Sequence, residues 1–419
     1  MNAKQLLSSG WVFALTLLLS APAVAHGERN QEPFLRMRTA HFYDMTWSKT
    51  QVAVNDDVVI EGKFRLFKDW PVNLPPPDVA FLGNGTPGPV FVRTESRING
   101  QAAIQSMRLL RNRDYAFKTV LKARLPGRHH VHPMVNVQGA GPLLGPGTWV
   151  EVTGRAEDFR LPAHTLDGTQ IDNLETWGVA NVMTWHLVWV ALAVVWLAWW
   201  MRRPLLIPRY AAVVAGRESA LIRRSDLAMA AGMLVACVCV VVGGFVWAEA
   251  KYPRTIPLQG GRAQVKPLPR PRAPIDIVVE RATYDVPGRS MKITAKIHNG
   301  GLRPLQIGEF TTSNLRFINH AVPAAMAKLD PKYPADLIPR NGLVVTDNAP
   351  LAPHETREIQ LDMTDAIWET ERLTSLINDP DNRVGGLVFC FDDQNQRSIA
   401  NLSGSIVPIF TELASTPVH

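Results

Sequence analysis

The sequence predicts a mainly β chain with two transmembrane helices, carrying one β-patterned domain on each side of a helical hairpin. Three observations carry this. Short β-type runs broken by turn residues fill 26–175. Two stretches, Asn181–Met201 and Leu227–Ala248, hold no Asp, Glu, Lys or Arg and are long enough to span a bilayer of about 30 Å. The short-run pattern then returns over 275–419. The bulk figures agree with a folded chain: 419 residues, 46% hydrophobic and 19% charged, can bury enough surface to exclude disorder. Three cysteines are too few, and odd in number, for a disulfide scaffold.

Taken in order, 1–25 reads as a signal peptide. Lys4 supplies the positive start, Trp11–Ser20 the apolar stretch and Ala23-Val24-Ala25 the small-residue cleavage pattern, which makes His26 the mature N-terminus. In the first domain, 26–175, strands are expected at Val58–Phe67, Val79–Leu82, Pro89–Arg93, Tyr115–Ala123, His130–Val137 and Thr148–Val152, a β-sandwich or small barrel. The spans at 181–201 and 227–248 enclose a basic loop, 202–226, with six Arg against Glu218 and Asp226. That bias marks a cytoplasmic loop, and an exported N-terminus then puts both large domains outside, in the periplasm of a bacterial inner or intracytoplasmic membrane. A Pro- and Arg-rich linker, 252–274, leads to the second domain, 275–419. Its strands are expected at Ile275–Glu280, Met291–Asn299, Leu315–Asn319, Gly342–Thr346 and Glu358–Asp362, with one helix at Asp365–Asn378.

The formal charge of +7 would suggest nucleic acid, but its distribution argues otherwise. Lys4 leaves with the signal peptide, 202–226 has a surplus of four positive charges, and 249–273 has six basic residues against one acid. The rest of the mature chain is net negative. The basicity flanks the membrane and forms no nucleic-acid patch.

Five of the eleven histidines, His26, His41, His129, His130 and His132, lie in the early part of the first domain. On a strand, His130 and His132 point to the same face with bases about 7 Å apart, and can converge on one metal. Met134 shares that face and could add a soft sulfur. A freed His26 would chelate through its α-amine and ring. Three imidazoles and an amine make an all-nitrogen site, which favours Cu(II), although His-x-His alone suits zinc equally. His164, His298, His320, His354 and His419 read as structural, and His186 as packing at the start of the first span. Cys237 and Cys239 fall inside the second span and Cys390 has no His or Met nearby, so no blue-copper set is expected in the second domain. No phosphate-binding glycine loop, nucleophile elbow or Cys-x-x-Cys pair is present.

These residues carry a resemblance. His26-Gly27-Glu28-Arg29-Asn30-Gln31-Glu32-Pro33-Phe34-Leu35-Arg36-Met37-Arg38-Thr39 with Tyr43-Asp44 resembles the mature start of the B subunit of the copper-containing membrane monooxygenases, the particulate methane and ammonia monooxygenases. The likeness continues through Pro87–Arg93, the His130/His132 strand with Asn136-Val137, Gly145-Pro146-Gly147, Thr255–Gln259 and Val286–Arg289. It implies two cupredoxin-like β-sandwiches and assembly with the A and C subunits as a trimer of heterotrimers. It also implies oxidation of methane to methanol or ammonia to hydroxylamine with O₂, and copper held by His26, His130 and His132. Some methane-oxidising members have a second copper position between two histidines. His41 matches the first, but Arg65 stands at the second, and a guanidinium cannot ligate. Arg29, Gln31-Glu32-Pro33, Arg128-His129-His130 and Glu309-Phe310-Thr311-Thr312 resemble ammonia-type members. The competing reading of the same histidines is a membrane-anchored copper carrier or assembly protein.

Overall fold

The computed structural model describes residues 33–165, 168–203, 206–253, 262–269, 275–370 and 381–410. The expected signal peptide, His26, the Thr255–Gln259 motif, His419 and most of the expected helix at Asp365–Asn378 lie outside them. The chain divides into two compact units, Met1–Phe159 with Gly260–His419, and Arg160–Gln259.

The first unit opens with helix α1 (Pro33–Arg38), followed by β1 (Ala40–Trp47), β2 (Gln51–Ala53), β3 (Asp57–Leu66), β4 (Ala80–Gly85), β5 (Phe91–Ile98), β6 (Gln101–Ala102), β7 (Met107–Arg108), β8 (Arg113–Ala123), β9 (Gly127–Val137), β10 (Gly141–Leu144) and β11 (Thr148–Thr153). One sheet runs β1-β3-β8-β5-β6. The other runs β7-β4-β9-β11-β2, with β10 also on β9. Alternation drives both. Along β8 the buried Tyr115, Phe117, Leu121 and Ala123 face inward, and along β9 Val131, Val135 and Val137 do. The two inner faces meet as one core with Phe42, Trp47, Ile60, Phe64 and Val150.

The second unit holds a short hairpin, β12 (Ala163–His164) with β13 (Gln170–Ile171), then α2 (Val179–Met201), α3 (Leu206–Val214) and α4 (Arg224–Lys251). Both α2 and α4 are long and apolar enough to cross a membrane. None of the α2 residues is buried, and in α4 only Asp226 is. Asp226 ties the two helix ends together, accepting from Trp199 Nε1 at 3.0 Å and pairing with Arg203 at 2.8 Å.

The chain then re-enters the first unit. Within the stretch that reads as a linker, β14 (Ala263–Gln264) adds a parallel strand to β7, and Val265 joins the first core. The second sandwich follows: β15 (Ile275–Asp285), β16 (Ser290–Asn299), β17 (Leu305–Thr312), β18 (Leu315–Ile318), α5 (Pro323–Ala327), β19 (Val344–Val345), β20 (Thr356–Thr364), α6 (Ile367–Thr370), β21 (Arg383–Asp392), β22 (Arg397–Ser405) and β23 (Val407–Ile409). Its sheets are β19-β20-β16-β15-β23 and β18-β17-β21-β22. The fold class read from the sequence is the one found: mainly β, with two apolar helices in the chain between two sandwiches. Four long strands, β1, β17, β21 and β22, are additions to those expected from the sequence.

Strands β1, β21 and β22, with α1, make the seam that joins the sandwiches. Met37 of α1 lies in the second core while Phe42 of β1 lies in the first. Gly385 of β21 makes room for this: a Cβ there would stand 2.5 Å from the Met37 carbonyl oxygen. The fully buried Arg38 pairs with Asp381 at 2.8 Å, Tyr43 packs on Phe389 and Arg397 grips both oxygens of Asp44 at 2.6 Å. Burial pushes the Asp44 carboxyl up, but Arg397 and Lys63 outweigh that and hold it below the usual carboxylate range.

Beneath the seam, Arg65 donates to both oxygens of Asp114 at 2.7 and 2.8 Å, and the Tyr43 hydroxyl donates to the same carboxylate at 2.7 Å. All three side chains are buried. Removing the cation strands the carboxylate, so Arg65→Met is expected to cost about 3–5 kcal/mol. Thermal unfolding of the full-length protein should show a Tm several degrees lower; an unchanged Tm would contradict the pairing.

Candidate metal centre

β9 is the strand that gathers the candidate ligands. Val131, Val135 and Val137 take its inner face, which turns His130, His132 and Met134 to the outer one, as alternation requires. His130 Nδ1 and His132 Nε2 stand 2.9 Å apart, with the rings edge-to-face at 89°. His132 Nδ1 lies 2.8 Å from the Gly145 carbonyl oxygen, which can only accept, so Nδ1 carries the proton and Nε2 presents a lone pair. Two ring nitrogens at this distance must share a proton or a cation. Here His130 Nδ1–H donates to His132 Nε2; with that proton on the far nitrogen of His130, the two lone pairs converge.

The spacing fits a metal. Nitrogens bonded at about 2.0 Å and a right angle stand about 2.8 Å apart, whereas a tetrahedral angle needs about 3.3 Å. The 2.9 Å separation, held here by the hydrogen bond, leaves both ring nitrogens within reach of one metal ion as neighbouring ligands.

The loop after β10 seats His132. The Gly145 N–H donates to the Pro133 carbonyl at 2.8 Å, anchoring the loop to β9. Gly147 lies flat against the His132 ring, where a Cβ would come within 2.3 Å of Cε1. The sequence alone does not show this role of Gly145-Pro146-Gly147; its signal is a glycine just ahead of the strand that pairs beside a histidine.

The other sequence candidates separate from this pair. His129 turns to the opposite face, its Nε2–H donating to the Leu125 carbonyl at 3.1 Å, its ring edge-on to Phe91. Met134 keeps the ligand face, and a Cβ on Gly83 would touch its methyl group. His26, the third expected ligand, lies outside the described residues. Among the described residues no group of three or more His, Cys, Asp or Glu side chains comes together, so the described part of the site is the histidine pair.

His41 is a core residue. It is 2% exposed, packs on Phe67 and donates from Nε2 to the Met37 carbonyl at 2.8 Å. Arg65 stands opposite it in the β1–β3 ladder, committed to Asp114. In the second sandwich, burial pushes the Cys390 thiol up to about 12, which keeps it protonated at neutral pH.

Burial lowers the His41 pKa from 6.5 to about 4, and the Arg65 charge adds to this against the opposing hydrogen bond to Met37. The folded chain thus resists a proton that the unfolded chain accepts. The stability held by the neutral ring is full above about pH 6.5 and is lost as pH falls toward 4, by about 3 kcal/mol. His41→Leu should flatten that part of the stability–pH curve; equal slopes for variant and parent would contradict it. Gly147→Ala is expected to push the His132 ring off the Gly145 carbonyl, with little loss of fold stability because only a ring must move. A structure of that variant with the ring in place would contradict the seating.

Similarity to known proteins extends over nearly the whole chain. Residues 27–410 match the family model of the monooxygenase B-subunit proteins. The chain is 46% identical over 398 residues, 95% of both chains, to the particulate methane monooxygenase alpha subunit of Methylococcus capsulatus (strain Bath). Among solved structures, the cupredoxin domain of amoB from Nitrosocaldus yellowstonii aligns over 29% of this chain and 91% of that one, at 17% identity and a TM-score of 0.24. A PapD-like domain of human CEP192 aligns over 38% of this chain and 100% of that one, at 12% identity and a TM-score of 0.18. On the family match and the identity to the Methylococcus protein, the chain belongs to the monooxygenase B-subunit family.

Proposed function

We propose that this chain is the copper-binding B subunit of a membrane monooxygenase that oxidises ammonia to hydroxylamine or methane to methanol with O₂. The observation that carries the copper reading is the 2.9 Å convergence of His130 Nδ1 and His132 Nε2, with the His132 tautomer already set by Gly145. His26, freed by removal of 1–25, adds its α-amine and ring to complete an all-nitrogen set. Bound there, copper would supply redox chemistry that no side chain provides.

This chain's own residues hold the ligand geometry. The Gly145 carbonyl keeps the proton on His132 Nδ1, and the rigid β9 ladder fixes both ring bases. Cys390, in the second sandwich, is buried and protonated and offers no thiolate to a metal. The two apolar helices anchor the chain as a two-pass protein, with 202–226 in the cytoplasm and both sandwiches in the periplasm. Most residues of those helices are unburied within the chain, which suits contact with lipid and with the partner A and C subunits in a trimer of heterotrimers.

The test is copper content of the complex purified from membranes, compared with the His130→Ala/His132→Ala variant and with N-terminal sequencing. The expected result is a mature chain beginning at His26 and loss of copper from the variant. Unchanged copper in the double variant would overturn the site. Turnover of ammonia and of methane by the same preparation then assigns the gas.

A further inference from the structure

We propose that Trp149 is a positioning residue of the metal site, locking the His130 ring in the orientation that turns Nδ1 toward His132. This rests on the reading that the histidine pair holds copper. Register brings the residues together. β11 pairs antiparallel with β9 so that Trp149 stands directly opposite His130, and Glu151 opposite Arg128. The indole packs on the His130 imidazole with ring centroids 4.7 Å apart and planes tilted by 40°. The His132 ring closes the other approach at 4.5 Å. An imidazole on two rotatable bonds is thus held between two aromatic rings. The Arg128 guanidinium lies 4.6 Å from the Trp149 ring centre and braces the indole in turn.

The exposure of Trp149 points the same way. It is 47% exposed, on a strand whose inward residues Val150 and Val152 already fill the core. A large indole on the outer face adds little to that core. Among the described residues, its ring contacts are with a candidate ligand and with the cation that braces it. Gly147, just ahead of β11, leaves room for the His132 ring, and Trp149 clamps the His130 ring, so this one segment shapes both imidazoles. Groups that orient a metal-bound imidazole typically change metal affinity about 10–100-fold when removed.

The experiment uses the intact complex carrying Trp149→Leu and Trp149→Phe, with His130→Ala as the control that identifies the signal of this site. Cu(II) electron paramagnetic resonance and copper retention against a chelator are read on each. Trp149→Leu should alter the copper hyperfine splitting and lose copper about tenfold more readily, while Trp149→Phe, which keeps a stacking ring, should stay near the parent. A parent-like spectrum and retention in Trp149→Leu would overturn the proposal, including when that variant weakens subunit assembly, since the indole would then serve a protein contact. Should Trp149→Leu fail to accumulate, Arg128→Gln, which unbraces the indole, is expected to shift the spectrum the same way, and no shift would overturn the proposal. If His130→Ala removes no copper signal, the copper reading itself falls and the proposal with it, a failure visible in the control alone.

Discussion

The site depends on one constraint, the antiparallel register of β9 against β11. Side chains on a strand alternate with a period of two, so a slip of one residue would turn His130 and His132 into the core and bring Val131 out. The buried valines of β9 and the buried Val150 and Val152 of β11 forbid that slip. The register that satisfies the core also brings Gly147 and Trp149 beside the two histidines. Hydrophobic burial on one face thus arranges nitrogen donors on the other, and the donors need no stabilising role of their own.

A second constraint joins the two sandwiches. The seam through α1, β1, β21 and β22 puts ionised groups where alternation would put apolar ones. Arg38, Arg65 and Asp114 are buried there, each with a charged partner. Breaking such a pair is costly because one charge is left in low dielectric. β14 returns to the first sandwich after the two long apolar helices, so that sandwich is completed by chain from both sides of them.

This division explains what is legible in the sequence. β3, β8, β9 and β20 show clean alternation or strong β composition and lie close to their expected limits. The helices are legible because charge-free runs of that length have few other uses. β21 is not, because it is buried at eight of its ten positions, covered on both faces, and so lacks the period-two signal. β1 is hidden by His41, Asp44 and the other polar groups that serve the seam. At the site, His130 and His132 are legible as a local spacing. Trp149 and Gly147 are not, since their roles arise from pairing with a strand more than ten residues away.

Copper held between His130 Nδ1 and His132 Nε2, completed by the N-terminus at His26, is the centre of the proposed chemistry. An anomalous-scattering map of the isolated complex, collected at the copper edge, addresses this most directly. The expected result is a copper peak about 2.0 Å from both ring nitrogens, with the His26 amine beside it. The histidine pair still hydrogen-bonded to itself in copper-replete crystals, with no peak between the rings, would contradict it.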